Sequence, residues 1–352
     1  MKPQTLLITL IIFITTACQS DDKLFTSLSK SSTGIDFRNI LQESEELNVL
    51  NYTYFYNGGG VAVGDVNNDG LTDVFFTGNM VKNRLFLNKD SMNFEDITAT
   101  SGVAEAQGWC TGATMVDINQ DGWLDIYICR SADTRPEKRA NLLYINNHNN
   151  TFTEKAKDYG LADEGYSTQA SFFDYDKDGD LDMFLLNHSL NEYAGFSKIL
   201  PDLKKQISPI YGNKLYQNDG NNHFLEVSQQ AGIISNVLSF GLGVAISDVN
   251  NDGWLDIYVS NDFNEQDYLY INQKDGRFAD EIASRIGHTS LFSMGSDAAD
   301  INNDGSPEIL TMDMEAEGNH RQKMTSGADN YDKFKLLESL GFGSQFSRNM
   351  LR

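Results

Sequence analysis

The sequence predicts an all-β chain folded as a β-propeller of four-stranded blades, and three observations carry that prediction. A nine-residue acidic pattern, Asp-x-Asn/Asp-x-Asp-Gly-x-x-Asp/Glu, recurs five times, starting at Asp65, Asp117, Asp174, Asp248 and Asp300. Those starts are 52, 57, 74 and 52 residues apart. Each copy sits among short runs rich in β-branched and aromatic residues, bounded by Gly and Asn/Asp, which read as strands. Four short strands in a repeat of about 50 residues are the mark of a propeller blade, and such units must stack because none can bury both faces alone.

Within each unit the elements follow in order. The first run is small and Gly-rich, as in residues 58–64, 111–116 and 241–247. Small residues suit the innermost strand, where blades crowd the axis. The second run is apolar: Val74 to Thr77, Ile126 to Ile128, Met183 to Leu186 and Ile257 to Val259. A third runs from Asn83 to Asn88, Asn141 to Asn146, Lys214 to Asn218 and Asp267 to Asn272. Phe94, Phe152, Phe224 or Phe278 then opens a fourth, which ends near Gly102, Gly160 or Gly232. The blades fall near 58–103, 110–161, 167–233 and 241–287, with an incomplete fifth near 293–352. The long third interval holds a loop insertion, roughly Asn191 to Tyr211, with Pro201 and Pro209. Residues 318–343 are read as an insertion in the fifth unit, with one short amphipathic helix near 331–340 that includes Lys333 to Leu340.

The acidic pattern suits calcium. Side chains one, three and five of a tight loop turn their oxygens toward one point, the carbonyl of residue seven adds a ligand, and the carboxylate at nine closes the cage. Calcium takes 6–8 oxygens at about 2.3–2.6 Å and tolerates irregular geometry, whereas magnesium demands a strict octahedron. Glycine at position six permits the sharp turn. The donors are Asp65, Asn67, Asp69, Leu71 and Asp73 in loop one, and Asp117, Asn119, Asp121, Trp123 and Asp125 in loop two. They are Asp174, Asp176, Asp178, Asp180 and Asp182 in loop three, and Asp248, Asn250, Asp252, Trp254 and Asp256 in loop four. Loop five supplies Asp300, Asn302, Asp304, Ser306 and Glu308, so up to five calcium ions are expected. Position twelve, a glutamate in an EF-hand, is here Phe76, Ile128, Leu185, Val259 or Thr311, and lies in a strand. Asp-Asn-Gly clusters also make good hairpin turns unaided, but a turn does not require five repetitions of one ligand pattern. Clustered carboxylates repel without a cation, so metal binding should be coupled to local folding. Loop three carries the most carboxylates and should bind tightest; Pro307 and Glu308 set loop five apart.

Residues 1–17 read as an export signal: Lys2 is followed by a short apolar run from Leu6 to Ile14 and by small residues before Cys18. That run is too short to span a bilayer. The segment resembles the signal of bacterial lipoproteins, which implies lipidation of Cys18; Thr15 stands where that family prefers Leu, and an ordinary secretory signal is the alternative. Residues 18–33 form an acidic tether whose Ser20-Asp21-Asp22 resembles the tract that sends some Bacteroidota lipoproteins to the cell surface. The expected location is the outer membrane at the cell surface, with a periplasmic or secreted protein as the alternative. With 27 Lys+Arg against 50 Asp+Glu, the net charge of -23 disfavours nucleic acid as a partner. Cys110 and Cys129 flank one predicted hairpin, as a pair or as two small buried residues. The five histidines, His148, His188, His223, His288 and His320, are scattered and read as surface or loop residues. No nucleophile elbow, phosphate loop or zinc motif is found.

The alternation of these loops with Phe-x-Asp/Glu and Gly-Val elements resembles the FG-GAP/VCBS repeat family across residues 34 to 315. Asn57-Gly-Gly-Gly-Val-Ala-Val-Gly-Asp65 and Phe76-Thr-Gly-Asn79 are most similar to its bacterial surface-lipoprotein branch, which often carries an ASPIC/UnbV C-terminal domain. The resemblance implies an integrin-α-like ring of about seven blades, with calcium loops facing away from the ligand-binding side. Five loops are fewer, and Ser347 to Leu351 matches the start of a third strand just before the sequence stops, so a truncated sequence is expected. Gly34-Ile-Asp-Phe37 reads as an outer-strand element that closes the ring. The expected function is a surface-anchored module that binds a protein or glycan, with Trp109, Tyr193 and Phe196 as candidate contacts or packing residues. The alternatives are the propeller part of a carbohydrate-active, lyase-like enzyme and a non-binding spacer for a missing C-terminal domain.

Overall fold

The computed structural model describes residues 24–105, 108–190, 200–325 and 331–352. Four antiparallel sheets of four strands each follow the chain in order. The first blade is β1 (Val61–Gly64), β2 (Asp73–Phe76), β3 (Arg84–Asn88) and β4 (Phe94–Asp96). The second is β5 (Trp109–Val116), β6 (Asp125–Ser131), β7 (Leu142–Asn146) and β8 (Phe152–Glu154). The third is β9 (Ser167–Phe173), β10 (Asp182–Asn187), β11 (Lys214–Asn218) and β12 (Phe224–Glu226), and the fourth β13 (Gly241–Ser247), β14 (Asp256–Asn261), β15 (Tyr268–Asn272) and β16 (Phe278–Asp280). After β17 (Thr289–Ser290) comes a fifth, three-stranded sheet of β18 (Gly295–Ala299), β19 (Glu308–Met312) and β21 (Met350–Leu351), while β20 (Gln345–Phe346) pairs in parallel with β17. The fold is an all-β propeller, and the third-strand reading of Ser347 to Leu351 is met by β21.

In blades two to four apolar residues point both ways because each of these blades is sandwiched between two others. Ile126 and Ile128 of β6 pack toward the first blade with Phe75, Leu85 and Leu87. Tyr127 and Cys129, alternating with them, pack toward the third with Met183, Leu185 and Tyr216. Phe184 and Leu186 meet Ile257, Val259 and Tyr270 in the same way, and Tyr258 and Leu269 meet Ile309. The second strands of blades two to four are therefore buried along their whole length. Each large side chain so enclosed contributes roughly 1.5–3 kcal/mol. Cys110 and Cys129 are buried free thiols, and Cys110 pairs across the hairpin with Arg130 rather than Cys129.

Small residues at the axis are required by close approach. A Cβ on Gly60 would lie 2.6 Å from the Thr111 carbonyl oxygen, and one on Gly112 would lie 2.4 Å from that of Thr168. Threonine hydroxyls stitch the same interfaces: Thr111 donates to the Ser167 carbonyl at 2.7 Å, Thr114 to Ala170 at 2.8 Å and Thr168 to Gly241 at 2.8 Å. At the rim, Gly102, Gly160 and Gly232 adopt φ near 80° and press on the carbonyls of Phe152, Phe224 and Phe278 in the next blade.

Gly34 repeats that rim arrangement. It ends a helical turn (Lys30–Thr33) at φ 77° and abuts the Phe94 carbonyl, and Gly34 to Phe37, expected as an outer-strand element, forms no strand. The second-to-third-strand insertions hold short helices at Leu200–Lys204, Asn319–Thr325 and Tyr331–Ser339; the last is the helix expected there. Among the described residues no helix is long and apolar enough to cross a membrane. Residues 1–17, Cys18, Tyr193 and Phe196 lie outside the described residues.

Candidate metal-binding loops

All five acidic loops join the first strand of a blade to its second, and each spans eight residues between the strands. The registers agree: Gly64 pairs with Asp73, Val116 with Asp125, Phe173 with Asp182, Ser247 with Asp256 and Ala299 with Glu308. Position nine is thus the first residue of the second strand. The glycines at position six have φ between 84° and 98°, as a sharp left-handed turn requires. Position four is left-handed too, with φ of 56–62° at Asn68, Gln120, Lys177, Asn251 and Asn303.

Backbone amides organise the carboxylates. The position-six N–H donates to the position-one carboxylate in every loop, at 2.6–3.1 Å. The position-nine carboxylates of the four complete blades, Asp73, Asp125, Asp182 and Asp256, are almost wholly buried. One oxygen of each accepts the N–H of position two at 3.0–3.3 Å. The other accepts the N–H of Asn88, Asn146, Asn218 or Asn272 at the end of the third strand, at 2.8–2.9 Å. Those asparagines are part of the site, and their recurrence at the end of each third strand was the available signal. Their side chains also clamp position eight, and Asn146 and Asn272 reach the preceding blade through the Val66 and Tyr175 carbonyls at 2.8 Å. Burial lifts the Asp182 carboxyl to about 8, Asp125 to about 7 and Asp256 to about 6.

Loop three differs from the rest. Asp174, Asp176 and Asp182 each turn one carboxylate oxygen into a group within 4.8 Å. The Oδ1 atoms of Asp174, Asp176 and Asp180 are shut off from solvent yet accept no hydrogen bond. Buried carboxylate oxygens without donors are costly, and an all-oxygen set of this kind fits a hard divalent cation. In loops one and two the position-three side chain is an amide that supplies a donor to position five, Asn67 donating to Asp69 at 3.0 Å and Asn119 to Asp121 at 2.9 Å. Loop five keeps the plan through Glu308, which accepts from Ile301 N–H at 2.9 Å, but residues 301–306 are exposed. At position seven the N–H of Leu71, Trp123, Asp180, Trp254 and Ser306 holds the position-five carboxylate, of Asp69, Asp121, Asp178, Asp252 and Asp304 respectively.

The opposite end of the blades is aromatic. Tyr52, Tyr54, Phe55, Trp109 and Phe240 form one buried cluster, so Trp109 is packing and not an exposed contact. The surface reading fails for His188, which is 1% exposed. Its ring lies 4.9 Å from that of Tyr54 and its Nε2 3.0 Å from the Ser131 hydroxyl. A cavity of about 230 Å³ lies beneath Tyr52, Tyr54 and Trp109, against the inner-strand backbone of Gly60, Gly112 and Thr168.

The FG-GAP-like repeat matches residues 52–128, 131–185, 207–259 and 248–311. The chain belongs to the FG-GAP-like repeat family. Among curated relatives, cartilage acidic protein 1 of Xenopus tropicalis is 26% identical over 223 residues, 61% of this chain and 30% of its own length. Integrin alpha-6 of Gallus gallus is 39% identical over 82 residues, 20% of this chain and 8% of its own length. The FG-GAP-like chain therefore spans less than a third of either relative. Among solved structures, an exo-inulinase of Aspergillus awamori superposes with a TM-score of 0.37 at 11% identity, over 72% of this chain and 57% of that one. An exo-β-1,3-galactanase of Clostridium thermocellum does so with a TM-score of 0.34 at 10% identity, over 72% and 54%. Neither overlap is close enough to carry an activity across.

Proposed function

We propose that this FG-GAP-like chain is a calcium-stabilised, non-enzymatic binding propeller held at the cell surface through a lipidated Cys18, with a protein or glycan as its partner. The observation that carries the metal reading is the set of buried, donorless oxygens on Asp174, Asp176 and Asp180. Calcium would supply the missing positive charge there, with the side chains of positions one, three, five and nine and the carbonyl of position seven as ligands. The same roles extend to the other four loops through their shared register. The acidic loops share one length and register in every blade, which supports a structural task.

Partner recognition is assigned to the other face. Connections between second and third strands of the complete blades hold 7, 10, 26 and 6 residues, against a constant eight on the acidic face. Variable loops on a uniform scaffold are where binding specificity is usually carried. Metal counting on the folded protein tests the first half: calcium should be present, and Asp176→Ala should remove one ion. Folded protein without calcium would sink the reading. A glycan-array and pull-down screen, run with calcium and then with chelator, tests the second half. Binding lost on shortening the 188–213 connection supports it, whereas a propeller that binds nothing in calcium favours the spacer role. Membrane-associated protein released into the soluble fraction by Cys18→Ala would support the anchor.

A further inference from the structure

Each of the first four acidic loops extends one side chain onto the next. Asn68 Nδ2 donates to the Gly122 carbonyl at 3.0 Å, and Gln120 Nε2 to the Gly179 carbonyl at 2.7 Å. Asn251 Nδ2 donates to the Ser306 hydroxyl at 3.0 Å, and the Lys177 ammonium lies 4.5 Å above the centre of the Trp254 ring. All four reaching residues occupy position four, and all four targets occupy position six or seven of the following loop. The left-handed backbone at position four belongs to the same device, since Gln120 and Lys177 hold it although neither is a residue type that favours it.

Two of the targets, the Gly122 and Gly179 carbonyls, belong to the peptide that arranges the candidate ligands, and the other two are side chains of position seven. In loop three the Gly179 carbonyl takes the Gln120 amide, while the N–H of the same peptide unit, on Asp180, holds Asp178 at 3.2 Å. In loop two the Gly122 carbonyl takes Asn68, and Trp123 N–H holds Asp121 at 2.9 Å. We infer that the fourth residue of each of the first four loops is a positioning residue for the metal site of the following blade, so that the calcium sites are coupled in series along the acidic face. This rests on the calcium reading above. A metal that fixes the six–seven peptide of one loop fixes the hydrogen-bond acceptor of the loop before it. By reciprocity, filling the earlier loop favours the later one. Coupling between neighbours only is what a stacked-repeat architecture allows.

Trp123 reports on loop two. The full chain with Trp254→Phe leaves Trp109, buried on the far face, as the other indole. Calcium titration followed by Trp123 fluorescence should give a midpoint roughly five-fold higher once loop three is emptied by Asp176→Ala, a ratio expected from one hydrogen bond. Asp178→Asn serves the same purpose should the first variant fold poorly. In a Gln120→Leu background that shift should vanish, and Gln120→Asn, the residue type used by loops one and four, should restore it. A loop-two midpoint indifferent to Asp176→Ala, or a shift that survives Gln120→Leu, overturns the inference while leaving calcium binding intact. Absence of calcium by metal counting instead overturns the reading beneath it.

Discussion

His188 offers a quantitative test of how the aromatic end is held. Its ring is enclosed by Tyr52, Tyr54, Tyr166 and Phe240, with Nδ1 2.9 Å from the Ser189 carbonyl. Burial holds its pKa at about 4 against an ordinary value of 6.5. The folded state therefore refuses a proton that the unfolded chain accepts, and stability is lost as pH falls from 6.5 toward 4. The full difference corresponds to about 3 kcal/mol, of which roughly 2–3 kcal/mol should appear between pH 7 and pH 4.5. Carboxylates elsewhere titrate in the same window, so the measurement is a comparison with His188→Gln, which keeps polarity and cannot ionise. Urea unfolding of both proteins at the two pH values gives two stability differences. The variant should be the weaker at pH 7, and the gap should close by roughly 2–3 kcal/mol at pH 4.5. A gap that stays constant would refute the claim that His188 is buried neutral.

Three further outcomes follow from the same geometry. In calcium-free protein, the raised carboxyls of Asp182, Asp125 and Asp256 mean that the folded state holds more protons than the unfolded one, so stability should fall as pH rises from about 5 to 8. Added calcium should reverse that slope, which thermal melts across the range would show. Gly160→Ala combines φ 77° with a Cβ 2.5 Å from the Phe224 carbonyl, whereas Gly122→Ala at φ 84° meets nothing within 4 Å. Left-handed strain of about 1 kcal/mol is common to both, so denaturant midpoints should show Gly160→Ala as clearly the worse. Thr168→Val removes the hydroxyl that reaches the Gly241 carbonyl at 2.8 Å and should cost about 1 kcal/mol in the same assay with little change of shape.

Much of the fold was legible because the repeat is stated five times. Glycine at position six, small residues in the first strand and apolar runs in the second each report a local demand, namely a left-handed turn, close approach at the axis or burial on two faces. Those demands act within a few residues of the side chain that meets them. The histidines show the limit. His148 and His188 look alike in sequence, yet His148 lies exposed beside Asp121 and His188 is enclosed by residues from four separate segments.

The sequence by itself determined the strand pattern of the blades and the spacing and residue pattern of the acidic loops, because each is encoded within one repeat unit. Tertiary structure alone decided three other matters. It brought the third-strand asparagines, 15 to 36 residues from position nine, onto the buried carboxylates. It set position four of one loop against the next, 54 to 77 residues away. It also left three aspartate oxygens of loop three without donors. These depend on how neighbouring strands and blades are placed, and burial of polar groups is a property of the packed molecule that no local run of residues expresses.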